Sequence, residues 1–449
     1  NGAWAVPECT LQDNFDGCFI EDNEQDNGVR FADVNNDGLV DILKGRNGLR
    51  TKTWINTGAG WTNFNTWAIP ECDSGNNKGC FIENNLDNGV VLADVSGDGK
   101  VDIVKNEYNE KFTWLNTGNG WKDWGSWKPP ECSQDDGTTA GCFVKQNTNA
   151  DNGVRVIDVN GDGLVDITSG QYNIQKTWIN TGNGWRNFGT WNFPECSYDQ
   201  GSPAACIIHQ DTGGDNGVRF GDINGDGLPD LLRAKSGDAR TWLNTGKGWV
   251  LNNSWAMPNC DSQNHEKCFI DDNPTEHPNG VYLIDITGDG VTDLLRAQVL
   301  FSGESKAWTN VAQRVGLLRS ITSPFGAITF INYTVLANFN NKGTDAVPDI
   351  GVPLWVATFI NDDNGMTGSA KTVSNSTFFY RGGYFDYNES DYRGFAFVSE
   401  NKSNNITLYH YFHQDTGRKG REFKTEILDK HGSLYQRQDF EWNATRNGA

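Results

Sequence analysis

Five stretches of this 449-residue chain set carboxylates and amides on alternate positions around a glycine: DVNNDGLVD from Asp33, DVSGDGKVD from Asp94, DVNGDGLVD from Asp158, DINGDGLPD from Asp222 and DITGDGVTD from Asp285. Calcium takes roughly six to eight hard oxygens in flexible geometry, and a sharply turning loop with donors on alternate residues supplies them. Positions 1, 3, 5 and 9 offer side-chain oxygens, position 7 offers a backbone carbonyl, and the glycine at position 6 permits the turn. The expected ligands are Asp33, Asn35, Asp37, Leu39 and Asp41; Asp94, Ser96, Asp98, Lys100 and Asp102; Asp158, Asn160, Asp162, Leu164 and Asp166; Asp222, Asn224, Asp226, Leu228 and Asp230; and Asp285, Thr287, Asp289, Val291 and Asp293. Ser96 and Thr287 replace the amide with a hydroxyl and mark the weakest copies. Asx turns alone explain position 1 and in part position 3. They do not explain three recurring carboxylates per loop, because packing like charges together needs a compensating cation. Magnesium, which keeps its waters, fits less well. Saturated cages that recur in every unit leave no open coordination position, so the metal is expected to be structural.

Strands must position these loops. The first aspartates recur with a period of about 63 residues, which is read as a repeat before anything else. Within a unit, VRFADV and LVDILKG flank the acidic turn as one hairpin, and TKTWINTG and GWTNFNTW flank Asn-Thr-Gly-x-Gly as a second. Four strands per unit make one propeller blade or one rung of an open β-array. Trp54, Trp114, Trp178 and Trp242 hold one place in the unit, and Trp61, Trp121, Trp185 and Trp249 another. Recurrent tryptophans fill cores between blades; the competing use is a platform for sugars. The fold class is therefore all-β: a β-propeller of five recognisable units over residues 1–311, with an open stack as the alternative, followed by a non-repetitive β-domain over 312–449.

Ten cysteines fall into five close pairs, one per unit: Cys9 with Cys18, Cys72 with Cys80, Cys132 with Cys142, Cys196 with Cys206 and Cys260 with Cys268. Such spacings without nearby histidines fit zinc poorly and small-loop disulfides well. Oxidised cysteines imply an extracellular or similar compartment. Seven N-glycosylation sequons, at Asn252, Asn332, Asn375, Asn388, Asn401, Asn405 and Asn443, agree with a secreted or cell-surface glycoprotein.

A net charge of -21 argues against nucleic-acid binding. No apolar run is long enough to span a membrane as a helix. No nucleophile elbow, phosphate loop or dinucleotide fingerprint occurs, the cysteines are all paired, and no enzymatic activity is expected. The chain opens on NGAWAVPEC, the tail of a unit, so it is expected to be processed or part of something longer.

The acidic loops with their hairpins resemble the calcium-binding FG-GAP and VCBS propeller repeats, a resemblance that covers roughly residues 1–310. It implies structural calcium at the loop residues named above. In the second part, GLLRSITSPFGAITFINYT, YRGGYFDYNESDYRGFAFV and GRKGREFKTEILDKHGSLY resemble the segment that follows the propeller in the B component of insecticidal Tc toxins and related Rhs and YD-repeat proteins. In that family the propeller docks on a pore-forming subunit. The expected function is a calcium-stabilised structural or adhesion component of an extracellular assembly, a coat or filament, whose partners are other protein chains or further copies of itself. The alternatives are a Tc-like component that docks a translocation partner and, more weakly, a carbohydrate-binding module.

Overall fold

The structure is a computed structural model. It describes residues 7–9, 18, 26–35, 40–48, 51–57, 60–64, 67–125, 127–135, 137–197, 204–208, 214–261, 263–271, 277–285, 287, 289–298, 304–310, 317–336, 339, 354–386 and 391–442. The chain divides into two compact units. One comprises residues 1–223, 227–284 and 292–311; the other comprises 224–226, 285–291 and 312–449.

The first unit is a five-bladed β-propeller. Blade 1 runs through Val29–Ala32, Asp41–Lys44, Lys52–Asn56 and Trp61–Asn63, each strand antiparallel to the next. The same order recurs from Val90–Ala93 to Trp121–Asp123 in blade 2, from Val154–Ile157 to Trp185–Asn187 in blade 3 and from Val218–Gly221 to Trp249–Leu251 in blade 4. Blade 5 pairs Val281–Ile284, Asp293–Gln298 and Glu304–Trp308. Each acidic loop is the connection between the first two strands. Its ninth residue opens the second strand opposite the last residue of the first, as in Ala32 with Asp41 and Ile157 with Asp166.

The second strands, such as DIVKNE and DLLRAK, are buried on both faces for most of their length. This matches their near-continuous apolar character, since a strand covered on both sides loses simple alternation. The third strands bury their tryptophans, with Trp54, Trp114, Trp178 and Trp242 exposed by at most 2%. These residues therefore serve as packing between blades.

The second unit is an eight-stranded antiparallel sheet in which consecutive strands are neighbours: Ser320–Thr322, Ile328–Val335, Trp355–Asp363, Val373–Asp386, Asp391–Lys402, Thr407–Phe412, Glu422–Leu428 and Leu434–Asp439. Cross-strand aromatic contacts, such as Phe397 with Tyr409 and Tyr411 at 5.3 Å each, line one part of it. Arg381 lies over the Phe397 ring at 4.6 Å.

Candidate metal loops and the cystine wedges

The ninth position of every acidic loop is buried: Asp41, Asp102, Asp166 and Asp230 are 0% exposed and Asp293 is 1% exposed. Buried carboxylates need hydrogen-bond donors. One oxygen accepts the N–H of the loop's second residue, from Val34 to Asp41, Val95 to Asp102 and Val159 to Asp166 at 3.0 Å each, and from Ile223 to Asp230 at 3.1 Å. The other accepts the N–H of the asparagine that ends the third strand, Asn56, Asn116, Asn180 or Asn244, or, in blade 5, of Asn310, two residues past it. Each Asp thus ties the loop to the opposite hairpin.

The first aspartate folds inward. Asp158 accepts N–H groups from Gly161 at 2.7 Å and Gly163 at 2.9 Å, and Asp94 does the same for Gly97 and Gly99. Gly227 donates to Asp222 at 2.8 Å and Gly290 to Asp285 at 2.7 Å. Positions 3 and 5 meet: Asn160 donates to Asp162 at 2.8 Å and Asn224 to Asp226 at 3.0 Å. In loops 2 and 5 the hydroxyls of Ser96 and Thr287 lie 3.4 Å from the carboxylates of Asp94 and Asp285. Residues 36–39, with the predicted ligands Asp37 and Leu39, lie outside the described residues.

Burial, with repulsion from Asp158 and Asp162 adding to it, pushes the Asp166 carboxyl up to about 7 against its backbone donors. Burial and Asp94 likewise push Asp102 up to about 7. A divalent cation among these oxygens relieves that repulsion, so the donor set fits a calcium ion in charge and in hardness. Among the described residues no group of three or more carboxylate, imidazole or thiol side chains is already gathered around one point. What the loops offer is a mixed set of carboxylate, amide and carbonyl oxygens, hard donors of the kind calcium takes. Loop 2 differs from the others. Its Lys100 ammonium lies 3.2 Å from Asp98, an internal counter-charge where a cation would sit.

Neighbouring loops touch. A side chain added at Gly161, whose φ is +74°, would meet Leu228 of the next loop at 2.6 Å, and one at Gly97 would meet Leu164 at 2.3 Å. In loops 2 and 3 position 4 is glycine for both reasons at once: positive φ and no room for a Cβ.

All five cysteine pairs are disulfides, with Cα separations of 4.8 to 4.9 Å. The residue after the second cysteine donates its N–H to the second strand of the preceding blade or the residue just past it: Phe81 to Gly45, Phe143 to Asn106, Ile207 to Gly170 and Phe269 to Ala234, each at 2.8 Å. A buried asparagine of the following Asp-Asn-Gly turn secures the disulfide loop from the other side. Asn88 donates to Cys80, Asn152 to Cys142, Asn216 to Cys206 and Asn27 to Cys18; Asn279, which follows Pro278 instead, donates to Cys268.

The glutamate just before the first cysteine of four pairs completes the wedge; before Cys260 the residue is Asn259, with φ +55°. Glu8, Glu71, Glu131 and Glu195 all have φ between +47° and +50°, unusual for a residue with a side chain. Their carboxylates reach the next blade. Trp54, Trp178 and Trp242 donate their indole N–H to Glu8 at 3.1 Å, Glu131 at 3.3 Å and Glu195 at 3.3 Å. Lys52, Lys176 and Arg240 pair with the same three carboxylates. This network is carried by residues of the Pro-Glu-Cys and Asp-Asn-Gly triplets that recur along the chain, to which spacing within one unit assigns no partner. Of the sequons, Asn332, Asn401 and Asn405 are exposed and Asn252 and Asn375 are partly exposed; Asn388 and Asn443 lie outside the described residues.

With this geometry in place, comparison with known proteins gives two family matches: residues 158–232 match the FG-GAP-like repeat, and residues 260–424 match the insecticide toxin TcdB middle/N-terminal region. The chain carries FG-GAP-like repeats followed by a TcdB-type middle region. Its fold is similar to that of the Photorhabdus luminescens Tc holotoxin pore, at 14% identity and a TM-score of 0.50, covering 92% of this chain and 22% of that one. A lectin from Agrocybe aegerita that recognises non-reducing terminal N-acetylglucosamine aligns over 90% of this chain and 80% of its own at 16% identity, with a TM-score of 0.37. A T-cell immunomodulatory protein homolog of Plasmodium falciparum is 34% identical over 105 residues, which are 20% of this chain and 13% of that protein. The chain thus spans 22% of the Tc toxin chain and 13% of the Plasmodium protein. The five disulfides point to an extracellular or secreted protein. Among the described residues no helix is long and apolar enough to cross a membrane.

Proposed function

We propose that this chain is a calcium-stabilised, secreted structural or adhesion component of an extracellular assembly, without catalytic activity of its own. The observation that carries the reading is the repetition of one cross-linked wedge from unit to unit: disulfide, buried asparagine and positive-φ glutamate. Such investment in rigidity suits a protein that bears load or presents surfaces outside the cell, where cystines persist. Calcium would be held by the Asp, Asn, Ser and Thr oxygens of positions 1, 3 and 5, the carbonyl of position 7 and the buried Asp of position 9. When bound, it supplies positive charge that offsets the mutual repulsion of the loop carboxylates. The chain's own residues do the rest: Asp166 and its counterparts hold the loop against the asparagine of the opposite hairpin, and Leu164 and Leu228 pack loops 3 and 4 against Gly97 and Gly161 of loops 2 and 3.

The test is the mass and particle shape of native, glycosylated material by light scattering and electron microscopy, first with calcium and then with EDTA. Ordered polymers that loosen on calcium removal support the reading, and a calcium-insensitive monomer refutes it.

A second reading is favoured by the match of residues 260–424 to the TcdB middle region. In it the propeller is a docking platform for a translocation partner. Co-purification of one stoichiometric large partner, with no self-association, would distinguish this reading from the first.

A further inference from the structure

We infer that one face of the eight-stranded sheet is shielded by the chain's own N-linked oligosaccharides, carried on Asn332, Asn375 and Asn401, and is thereby closed to protein partners. The inference rests on the secreted, glycosylated reading proposed above and says where the sugars stand and what they cover. The three sequons lie on three different strands. Strand register brings them together. Asn332 stands opposite Phe359, Phe359 opposite Thr377, and Thr377 opposite Asn401. Directly opposed residues of antiparallel neighbours project to one side of a sheet. Asn332 and Asn401 therefore share a face, about 14 Å apart at the usual strand spacing. Asn375 precedes Thr377 by two residues and so joins that face, opposite Asn361, which in turn opposes Phe330. Asn405 lies in the turn 403–406 at the same end of the sheet. Among the described strand residues, the opposite face carries no sequon asparagine.

The amides are oriented for attachment. Asn361 donates a side-chain N–H to Oδ1 of Asn375 at 2.5 Å, and Thr407 donates its hydroxyl to Oδ1 of Asn401 at 2.9 Å. In both, the sheet holds the oxygen and leaves the nitrogen, the atom that carries a sugar. The structural asparagines of the propeller do the reverse: Asn152 and Asn180 commit their nitrogens to the buried carbonyls of Cys142 and Val95. In attachment, the amide nitrogen bonds to the anomeric carbon of an oligosaccharide donated by a lipid pyrophosphate. The carbon–oxygen bond to the pyrophosphate breaks, and one amide proton passes to a base of the transferase.

The same face presents two aromatic rings, Phe330 and Phe379, 49% and 50% exposed. Phe330 precedes Asn332 by two residues. Phe379 pairs with Ser399, two residues before Asn401, and is thus its diagonal neighbour. The turns that border this end of the sheet, 323–327, 364–372 and 403–406, are all among the described residues. Apolar rings gathered on one open face invite association. The first sugars of an N-linked chain turn C–H groups toward such rings and hydroxyls toward water, which covers the rings and keeps the face soluble.

The experiment treats the native secreted chain with peptide N-glycosidase in heavy-oxygen water, which converts each sugar-bearing asparagine into labelled aspartate. Peptide mass mapping locates the label, and titration with an apolar fluorescent dye is run before and after release. Label at Asn332, Asn375 and Asn401, with dye binding raised about twofold or more while circular dichroism is unchanged, is the expected result. Combining Phe330→Ser with Phe379→Ser should abolish that rise; if the pair fails to fold, Phe379→Ser alone should reduce it. Label at Asn252 or Asn405 but not on the face overturns the inference and leaves the secreted reading standing. No label at any sequon overturns both the inference and the glycosylated part of that reading. Dye binding that does not change on release overturns the shielding, whatever the occupancy.

Discussion

Asn180 donates its backbone N–H to Asp166 at 2.7 Å and its side-chain amide to the Val95 carbonyl of the preceding blade at 2.8 Å. One asparagine thereby links an acidic loop to the packing of two blades. The pair recurs as Asn116 with Asp102 and as Asn244 with Asp230.

Replacing Asn180 by Ala removes the cross-blade bond and leaves a buried carbonyl without that donor. Such a loss costs about 1 to 3 kcal/mol. Chemical denaturation of N180A against the parent chain measures it, and a change below a few tenths would show that the cross-blade bond contributes little.

Calcium should raise the melting temperature, with midpoints on the order of 10⁻⁴ to 10⁻³ M as in other extracellular modules. Loop 2 should be the weakest site because Lys100 already neutralises Asp98. Lys100→Leu is expected to raise the calcium-dependent gain in stability, whereas Asp162→Ala lowers it. Thermal melts across a calcium series read both.

Breaking one wedge tests the disulfides. Replacing Cys132 and Cys142 together by Ser opens a loop with a sequence separation of 10. The loss expected from loop closure is about 2 to 3 kcal/mol. If unfolding with and without reductant is superimposable for the parent chain, the cystines are not what holds the blades.

Acid should weaken the wedge. The Lys78 ammonium, hydrogen-bonded to Glu71, holds that carboxyl below its ordinary value of 4.5, with burial opposing the shift. The folded chain therefore binds this proton less readily than the unfolded chain. The contribution is present above the unfolded value and is lost as pH falls through the lower folded one. Stability measured down an acid series should drop below about pH 4.5, and less steeply in Glu71→Gln.

Much of the propeller was legible because repetition multiplies weak signals. A single DVNGDGLVD is a turn, but five at one period, each between β-rich runs, specify hairpins and blades. The cysteine pairs were equally plain, since a small closed loop is a local event. The roles of Glu131 and Asn152 were not legible. Their partners Trp178 and Cys142 stand 47 residues after and 10 residues before them, and no local periodicity encodes such meetings.

The sequence by itself determined the all-β class, the five units, the disulfide pairing and the donor chemistry of the loops, because each follows from spacing within one unit. Only the tertiary structure decided that the ninth aspartate is a buried tie between two hairpins and that Leu228 needs Gly161 empty. Those facts arise between units, where burial, steric exclusion and hydrogen-bond geometry act across distances that spacing along the chain does not record.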